Sequence, residues 1–160
     1  MDIVACTDKN FVMPTGVMMY SACVNNKETD IVFHVVTNGV SSEDKRKLSD
    51  TVFQFSGKSV LFYDAKGIDI SLFPPISKDY SRITLVTYYR LFLTELLPSN
   101  LNKVLYLDGD IIVRKSLMPL WETDLENLAV AASPDVYINS QEYYDSNTCK
   151  CANTFFANCG

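Results

Sequence analysis

The sequence predicts an α/β fold built on a mostly parallel β-sheet with flanking helices. Between Ile3 and Tyr63, short apolar runs alternate with helical patterns in the order strand, helix, strand, helix, strand. A later apolar run, "KVLYLDGDIIV" at residues 103–113, is typical of a strand buried on both faces. The chain of 160 residues is long enough for one domain with its own core. Such alternation is characteristic of parallel sheets, whose ligands bind at the carboxyl ends of the strands.

The first half of the chain contains three predicted strands and two predicted helices. Pro14 fits the first turn of a helix, because its missing N–H has no helical partner there. The sequence Ser-Ser-Glu-Asp at residues 41–44 resembles a helix start, and Asn38 with Gly39 marks the preceding turn. The predicted strands are residues 3–6, 31–37 and 59–63, and the predicted helices are residues 14–24 and 45–55.

The second half is predicted to be less regular. Pro74 and Pro75 indicate a long loop over residues 64–81, and Pro98 ends a helix over residues 83–97. A strand is predicted at residues 103–107, an extended segment at 111–113, a turn with a short helix at 118–125, a strand at 128–133 and an irregular tail at 134–160. Because there is no internal repeat or interdomain linker, residues 1–160 are predicted to form a single domain.

Composition excludes several classes of function. A net charge of -5 without a basic run argues against nucleic-acid binding, which depends on Lys and Arg. The start of the chain has neither the basic residues nor the long apolar stretch of a signal peptide or membrane span. The odd number of cysteines, 5, favours free thiols in a reducing compartment. We therefore expect a soluble, cytoplasmic protein.

The Asp-x-Asp sequence formed by Asp108, Gly109 and Asp110 lies in the apolar run. A buried carboxylate needs a cationic partner, a proton or a metal ion, because desolvating an unpaired charge is costly. In extended backbone both carboxylates point to one face, and Gly109 lets a ligand approach the backbone closely. Oxygen ligands of this kind suit Mg²⁺ or Mn²⁺ shared with phosphate oxygens. The alternative is a structural ion pair of Asp108. The spacing of the two aspartates does not distinguish a metal site from an ion pair, because acidic residues within 122–126 have the same spacing in a polar segment.

Three other polar residues are candidates for the same site. Asp8 and Asn10 follow the first strand directly, so they are expected at the sheet edge that carries Asp108. Arg90 lies in the apolar sequence "TYYRLFL", where its guanidinium needs either an ion-pair partner or a diphosphate. His34 alternates with valines in a predicted strand and is interpreted as a core residue without a functional role.

Several segments in order resemble glycosyltransferase family 8, the retaining enzymes of GT-A fold that include bacterial lipopolysaccharide galactosyl- and glucosyltransferases. The matching segments are "MDIVACTDKNF", "FHVVTNGVS", "TYYRLFL", "KVLYLDGDIIVRKSLMPLW" and "AASPDVY", together with Asn158 and Gly160 near the end of the chain. The segment that ends at Trp121 is the most specific, because it joins the aspartate pair to its strand, Arg114 and a Leu-x-Pro-Leu-Trp sequence.

The resemblance implies a hexosyltransferase that uses a UDP-hexose donor, UDP-galactose or UDP-glucose, and extends a saccharide acceptor such as lipopolysaccharide. By the same resemblance, Mn²⁺ or Mg²⁺ would bridge Asp108 and Asp110 to the diphosphate, and no side chain is assigned as nucleophile or acid. The implied donor-binding residues are Cys6, Asp8 and Asn10 for uridine and ribose, Arg90 for the diphosphate or sugar, Asp135 and Asn158 for sugar hydroxyls, and Gly109 beside the metal ligands.

The chain departs from the family pattern in several places. Cys6 and Cys159 stand where alanine is common, and Ala157 replaces an aromatic residue. The family continues past the position of Gly160 with a late histidine that completes the metal site and with most of the acceptor pocket. The sequence is therefore interpreted as a truncated, donor-binding part with impaired transfer activity. An exposed truncated face would favour homo-oligomers, and peripheral membrane association would need the missing part.

Two other interpretations remain open. One is a remnant that binds UDP or a nucleotide sugar without transferring it. The other is a phosphatase of the haloacid-dehalogenase type, in which Asp108 would attack phosphorus. That class carries its aspartates near the start of the chain and needs a later lysine with an acidic pair, whereas only Lys115 and Lys150 follow here.

Overall fold

The computed structural model describes residues 1–71, 73, 86–125 and 128–132, and the backbone of residues 154–158. In this part of the chain a six-stranded sheet is present. Its strands are Asp2–Asp8 (β1), Ile31–Asn38 (β2), Lys58–Asp64 (β3), Lys103–Leu107 (β4), Val130–Ala132 (β5) and Thr154–Asn158 (β6). They lie in the order β3-β2-β1-β4-β6-β5.

The strand directions confirm the predicted α/β class. Strand β1 pairs in parallel with β2 and β4, and β2 pairs in parallel with β3. Strand β6 is antiparallel to both β4 and β5. Because β1 and β4 are parallel neighbours, with Val4 opposite Tyr106, their carboxyl ends lie side by side.

Helices cover both faces of the sheet. The two long ones are Val12–Asn25 (α1) and Ser42–Phe53 (α2), and Ser41 caps α2 by accepting a hydrogen bond from the Asp44 N–H at 3.1 Å. The shorter ones are Val86–Tyr89 (α3), Leu93–Leu96 (α4) and Met118–Trp121 (α5), with 3₁₀ turns at Ala65–Gly67 and Arg90–Phe92. None of the helices in the described ranges has the length and apolar character needed to cross a bilayer.

The core has two layers, one on each side of the sheet. Ile3 and Ala5 of β1 pack with residues of α1 and α2, including Met18 and Leu48. Val4 and Cys6, which alternate with them, pack on the other face with Tyr89, Leu93 and Tyr106. Burial of β1 on both faces explains its nearly continuous apolar sequence.

His34 lies within β2 and is buried. Its Nδ1 is 2.8 Å from the Tyr63 hydroxyl, and its Nε2 is 2.9 Å from Asp2 Oδ1. Both ring nitrogens are therefore satisfied by neighbouring strands, in agreement with the structural role expected of this residue.

Strand β6 contradicts the prediction that residues 134–160 are irregular. Its backbone is paired on both sides, with Phe156 opposite Leu105 of β4 and Ala131 of β5. Two flanking strands stabilise an extended segment whatever the polarity of its neighbours in sequence. The sequence Thr-Phe-Phe at residues 154–156 was the available signal, because β-branched and aromatic residues favour strands.

The helix predicted at residues 83–97 is interrupted within its described part. The chain passes from α3 into the 3₁₀ turn at Arg90 and resumes as α4 at Leu93. Phe92 has φ of -112° and ψ of 18°, outside the α-helical region, so the helix does not continue through it. The other helices and strands begin and end within a few residues of their predicted bounds. Predictions that fall on residues 72, 74–85, 126–127, 133–153 and 159–160 lie outside the described residues.

Helix α1 anchors the chain that follows the aspartate pair. Residues 111–113, predicted as extended, form no strand. Their backbone groups bond to α1 instead: the Val113 N–H donates to Ser21 Oγ at 2.9 Å, and Asn25 Nδ2 donates to the Val113 carbonyl at 3.0 Å. Farther along, the buried Asn26 accepts a hydrogen bond from the Leu117 N–H at 2.6 Å. Side chains at the end of α1 and directly after it thus supply the backbone hydrogen bonds that a neighbouring strand would otherwise provide.

Replacing Asn26 with alanine should destabilise the protein by about 1–3 kcal/mol, because the buried Leu117 N–H would lose its acceptor. Urea unfolding followed by circular dichroism measures this change. The matched control is Asn25→Ala, which removes a bond from an exposed side chain and should cost less. Unchanged stability of the Asn26→Ala variant would contradict the anchoring role of Asn26.

Candidate functional site

A cleft lies at the carboxyl ends of β1 and β4. Its described lining consists of Cys6, Asp8, Phe11, Val86, Thr87, Arg90, Tyr106, Asp108, Gly109 and Asp110. The expectation that Asp8 and Asp108 share one edge of the sheet is therefore met. Strand alternation places Cys6 and Tyr106 together in the core layer below the cleft.

Asp108 and Asp110 follow β4 rather than lying within it. The strand ends at Leu107, and residues 109 and 110 form a turn in which the Ile111 N–H donates to the Asp108 carbonyl at 3.4 Å. The prediction that extended backbone aligns the two carboxylates is thus wrong, because the chain turns here toward α1. Asp108 is 23% exposed and Asp110 is exposed, so only Asp108 carries a large cost of desolvation.

Arg90 is the cationic partner of Asp108. Its Nη2 donates to Asp108 Oδ1 at 3.0 Å, and the Tyr106 hydroxyl donates to the same oxygen at 3.2 Å. The guanidinium carbon lies 4.9 Å from the centre of the Tyr106 ring, and Nε donates to the Thr87 carbonyl at 3.1 Å. The ion pair expected as one explanation of Arg90 is therefore present, and it makes the burial of Asp108 tolerable.

The ion pair does not fully compensate the charge of Asp108. Burial raises the pKa of this carboxyl above its usual value, and the nearby charge of Asp110 acts in the same direction, whereas Arg90 and Tyr106 lower it. Two carboxylates that repel each other in a partly buried cleft attract a cation. In the described residues, no group of three or more His, Cys, Asp or Glu side chains could hold a metal ion. Two carboxylates fit Mg²⁺ or Mn²⁺ when phosphate oxygens and water supply the other ligands.

Asp8 stabilises the start of α1. Its Oδ1 accepts hydrogen bonds from the Asn10 N–H at 2.8 Å and the Phe11 N–H at 3.2 Å. The loop between β1 and α1 is thereby fixed, and Phe11 presents part of its ring to the cleft. Asn10 is exposed and lines a separate groove between α1 and α2 together with Tyr20.

Three predicted donor-binding residues are not among the described lining of the cleft: Asn10, which was expected at this edge and lines the separate groove instead, Asp135 and Asn158. Asp135 lies outside the described residues. The backbone of Asn158 pairs with Lys103, at the opposite end of β4 from Asp108. The cleft therefore unites Cys6, Asp8, Arg90, Asp108, Gly109 and Asp110 from the predicted set.

Comparison with known proteins identifies the family. A family model described as glycosyl transferase family 8 matches residues 2–158. The chain belongs to this family. Its fold is accordingly the GT-A type that the sequence resemblance implied. The aspartate pair and Arg90 thus occupy one cleft in a family 8 glycosyltransferase chain.

Three relatives of this family 8 chain illustrate the similarity. It is 28% identical to general stress protein A of Bacillus subtilis (strain 168), an alignment that covers 84% of the chain and 46% of the relative. It is 30% identical to lipopolysaccharide 1,3-galactosyltransferase of Salmonella typhimurium (strain LT2), covering 78% of the chain and 36% of the relative. The crystal structure of the galactosyltransferase LgtC with donor and acceptor sugar analogues superposes with a TM-score of 0.85 at 32% identity, covering 99% of this chain and 58% of that one. The chain thus spans less than half the length of these two curated relatives.

Sequence interpretation missed four lining residues: Phe11, Val86, Thr87 and Tyr106. Phe11 and Tyr106 carried a usable signal, because each is an aromatic residue within two positions of a predicted site residue. The backbone role of Thr87 toward Arg90 carried none, since it depends on the break in the helix. The cleft of this family 8 chain thus contains two aromatic residues, Phe11 and Tyr106, that the aspartate pair alone does not predict.

Cys6 forms part of the wall of the cleft but is buried, in the same core layer as Tyr106. Burial raises the pKa of this thiol to about 12. Because the thiolate is the nucleophile, Cys6 is unsuited to covalent catalysis at neutral pH.

Cys6 should resist alkylation by iodoacetamide in the folded protein. At pH 8 a thiol of this pKa is about one part in 10⁴ thiolate, and the labelling rate should rise about tenfold per pH unit. Peptide mass spectrometry after timed labelling measures Cys6 separately from the other cysteines. Unfolding in urea should make it react like an ordinary thiol, and equal rates in folded and unfolded protein would contradict the burial of Cys6.

Proposed function

We propose that this protein is a metal-dependent, retaining hexosyltransferase that uses UDP-galactose or UDP-glucose to extend a saccharide acceptor such as lipopolysaccharide. The observation that carries the proposal is the convergence of Asp108, Asp110 and Arg90 on one cleft at the carboxyl ends of β1 and β4. Membership of family 8 and similarity to a lipopolysaccharide galactosyltransferase support the reaction class. Residues 1–160 would form the nucleotide-sugar-binding domain.

The diphosphate of the donor would be bound beside the aspartate pair. Asp108 and Asp110 would hold Mn²⁺ or Mg²⁺, with Asp108 kept in place by Tyr106 and Arg90. The cation would stabilise negative charge on the departing diphosphate, so that no strong protein acid is needed there. Arg90 has a planar fork of N–H donors, so contact with Asp108 is compatible with a contact to phosphate.

The nucleoside would occupy the part of the cleft beside the start of α1. Phe11 offers an aromatic surface against which a base can pack, and Asp8 supplies a carboxylate near the ribose. Cys6 would form the floor of this part together with Tyr106. The sugar contacts predicted for Asp135 and Asn158, and the base contact predicted for Asn10, stay predictions.

Retention of the anomeric configuration is the finer part of the proposal. In the described lining, the carboxylates are Asp8, Asp108 and Asp110, and each has an assignment other than nucleophile: Asp8 accepts two backbone N–H groups, and the other two would bind metal. Attack on the same face as the departing diphosphate fits this arrangement better than a covalent glycosyl intermediate.

UDP should bind to the protein in a manganese-dependent manner, because the cation would bridge the two carboxylates and the diphosphate. Isothermal titration calorimetry of UDP with and without Mn²⁺ measures this. The double variant Asp108→Asn, Asp110→Asn should lose the manganese-dependent part of the binding.

The matched control is Glu122→Gln, Asp124→Asn, which makes the same charge change at the same spacing in two exposed residues outside the cleft. It should bind UDP like the unmodified protein. Equal UDP affinity in all three proteins, with or without Mn²⁺, would exclude the metal-dependent donor site.

Transfer from a UDP-α-hexose should give an α-linked product, because front-face attack keeps the configuration of the donor. Proton NMR of the anomeric signal in the product measures the linkage. A β-linked product would contradict retention while leaving the donor site intact, and binding without any product would favour the nucleotide-sugar-binding alternative.

A further inference from the structure

Gly109, between the two proposed metal ligands, packs directly against the first part of α1. A Cβ atom at this position would lie 2.6 Å from Thr15 Oγ1, closer than real Cβ contacts occur. The next atoms are Phe11 Cδ1 at 3.5 Å and Thr15 Cα at 3.6 Å, which are ordinary contacts. One oxygen atom of Thr15 therefore excludes a side chain at residue 109.

Space rather than backbone conformation requires the glycine. The described glycines with positive φ are Gly39 and Gly57, and Gly109 is not among them. Alanine could thus adopt the backbone of residue 109 without the strain that a left-handed conformation imposes. The close approach expected of Gly109 is made by α1 of the same chain.

Thr15 is held too firmly to yield. It is 0% exposed, and its Oγ1 lies 3.0 Å from Thr7 Oγ1 and 2.8 Å from the Phe11 carbonyl oxygen. Thr7 is also 0% exposed, so turning the Thr15 side chain would disrupt a buried hydrogen bond. The β-branched side chain has few alternative rotamers in a helix.

We propose that Thr15 is a positioning residue for the metal-binding turn. Its hydroxyl occupies the volume next to Gly109 and thereby sets how closely the turn of Asp108 and Asp110 approaches α1. The inference rests on the proposed function, because only a metal or diphosphate site gives this distance a consequence for activity. The same hydroxyl bonds to the carbonyl of Phe11, whose N–H is held by Asp8, so the metal and nucleoside parts of the cleft share one support.

Four variants test the contact. Two are the single variants Gly109→Ala and Thr15→Ala. The other two are double variants that combine Gly109→Ala with either Thr15→Ala or Thr15→Ser. Gly109→Ala should lower the melting temperature and weaken Mn²⁺ binding about tenfold, since a turn displaced by a few tenths of an ångström no longer presents both carboxylates correctly. Thr15→Ala removes Oγ1, so the first double variant should regain the Mn²⁺ affinity of Thr15→Ala alone. Serine keeps Oγ1, so the second should not recover.

Gly67→Ala is the matched control, because nothing lies within 4 Å of a Cβ there and its φ is not positive. It should leave both melting temperature and Mn²⁺ affinity unchanged. Mn²⁺ binding is measured by electron paramagnetic resonance of the free ion in the presence of UDP, whose diphosphate supplies further ligands, with UDP alone as the blank and at a temperature where every variant is folded. If Gly109→Ala does not fold, recovery of folding in the alanine double variant, but not in the serine one, supports the contact.

Three results from the variants would overturn the inference. Additive losses of stability in the alanine double variant would show that the two positions do not touch. Equal recovery with serine and alanine at position 15 would exclude the hydroxyl as the cause. A lower melting temperature with unchanged Mn²⁺ affinity would reduce Thr15 to a structural residue. Failure of the unmodified protein to bind Mn²⁺ and UDP together would overturn the proposed function and the positioning role with it, while coupling in the melting temperatures would still establish the contact.

Discussion

Helix α1 supports the candidate site along its whole length, and the geometry of the cleft depends on this packing. After β4 the chain leaves the sheet, so its backbone groups no longer have strand partners and need others. Side chains at the end of α1 and directly after it supply two of them: Ser21 accepts from the Val113 N–H, and Asn26 accepts from the Leu117 N–H. Thr15 contributes a steric contact with Gly109. A segment without regular structure of its own thus has hydrogen-bond partners for its backbone at Val113 and Leu117.

The cleft also joins the two layers of the core. Gly109 packs on α1, on one face of the sheet, while Arg90 arrives from the shorter helices on the other face. Asp108 stands between them at the end of the central strand pair. Its charge is offset by Arg90 from one side, and its backbone position is set from the other. This division explains why a partly buried carboxylate survives in an otherwise apolar region.

Much of the fold could be predicted from local pattern. Strands β1 to β4 and helices α1 and α2 have strong apolar periodicity or clear start signals, and the structure has each of them close to its predicted place. The break in the helix at Phe92 and the pairing of β6 could not be predicted in the same way, because both depend on partners distant in sequence.

The candidate site was predictable in part for the same reason. Asp8, Arg90 and the aspartate pair stand out in the sequence as polar residues in apolar surroundings or at strand ends. The role of Tyr106 is hidden, because a tyrosine in a buried strand resembles any other core residue. The role of Thr15 is hidden more deeply, since no local pattern relates it to a glycine far along the chain.

The anchoring of residues 109–117 by α1 has a consequence for the order of folding. The contacts between α1 and the segment after Asp108 join residues that are about 90 positions apart in the chain, and closing such a long loop costs entropy before any contact is gained. Local units such as the α2 cap can form early, because their partners are neighbours in sequence. The cleft must wait until β4 has paired with β1 and the following segment has docked on α1. We therefore expect the cleft to form late in folding.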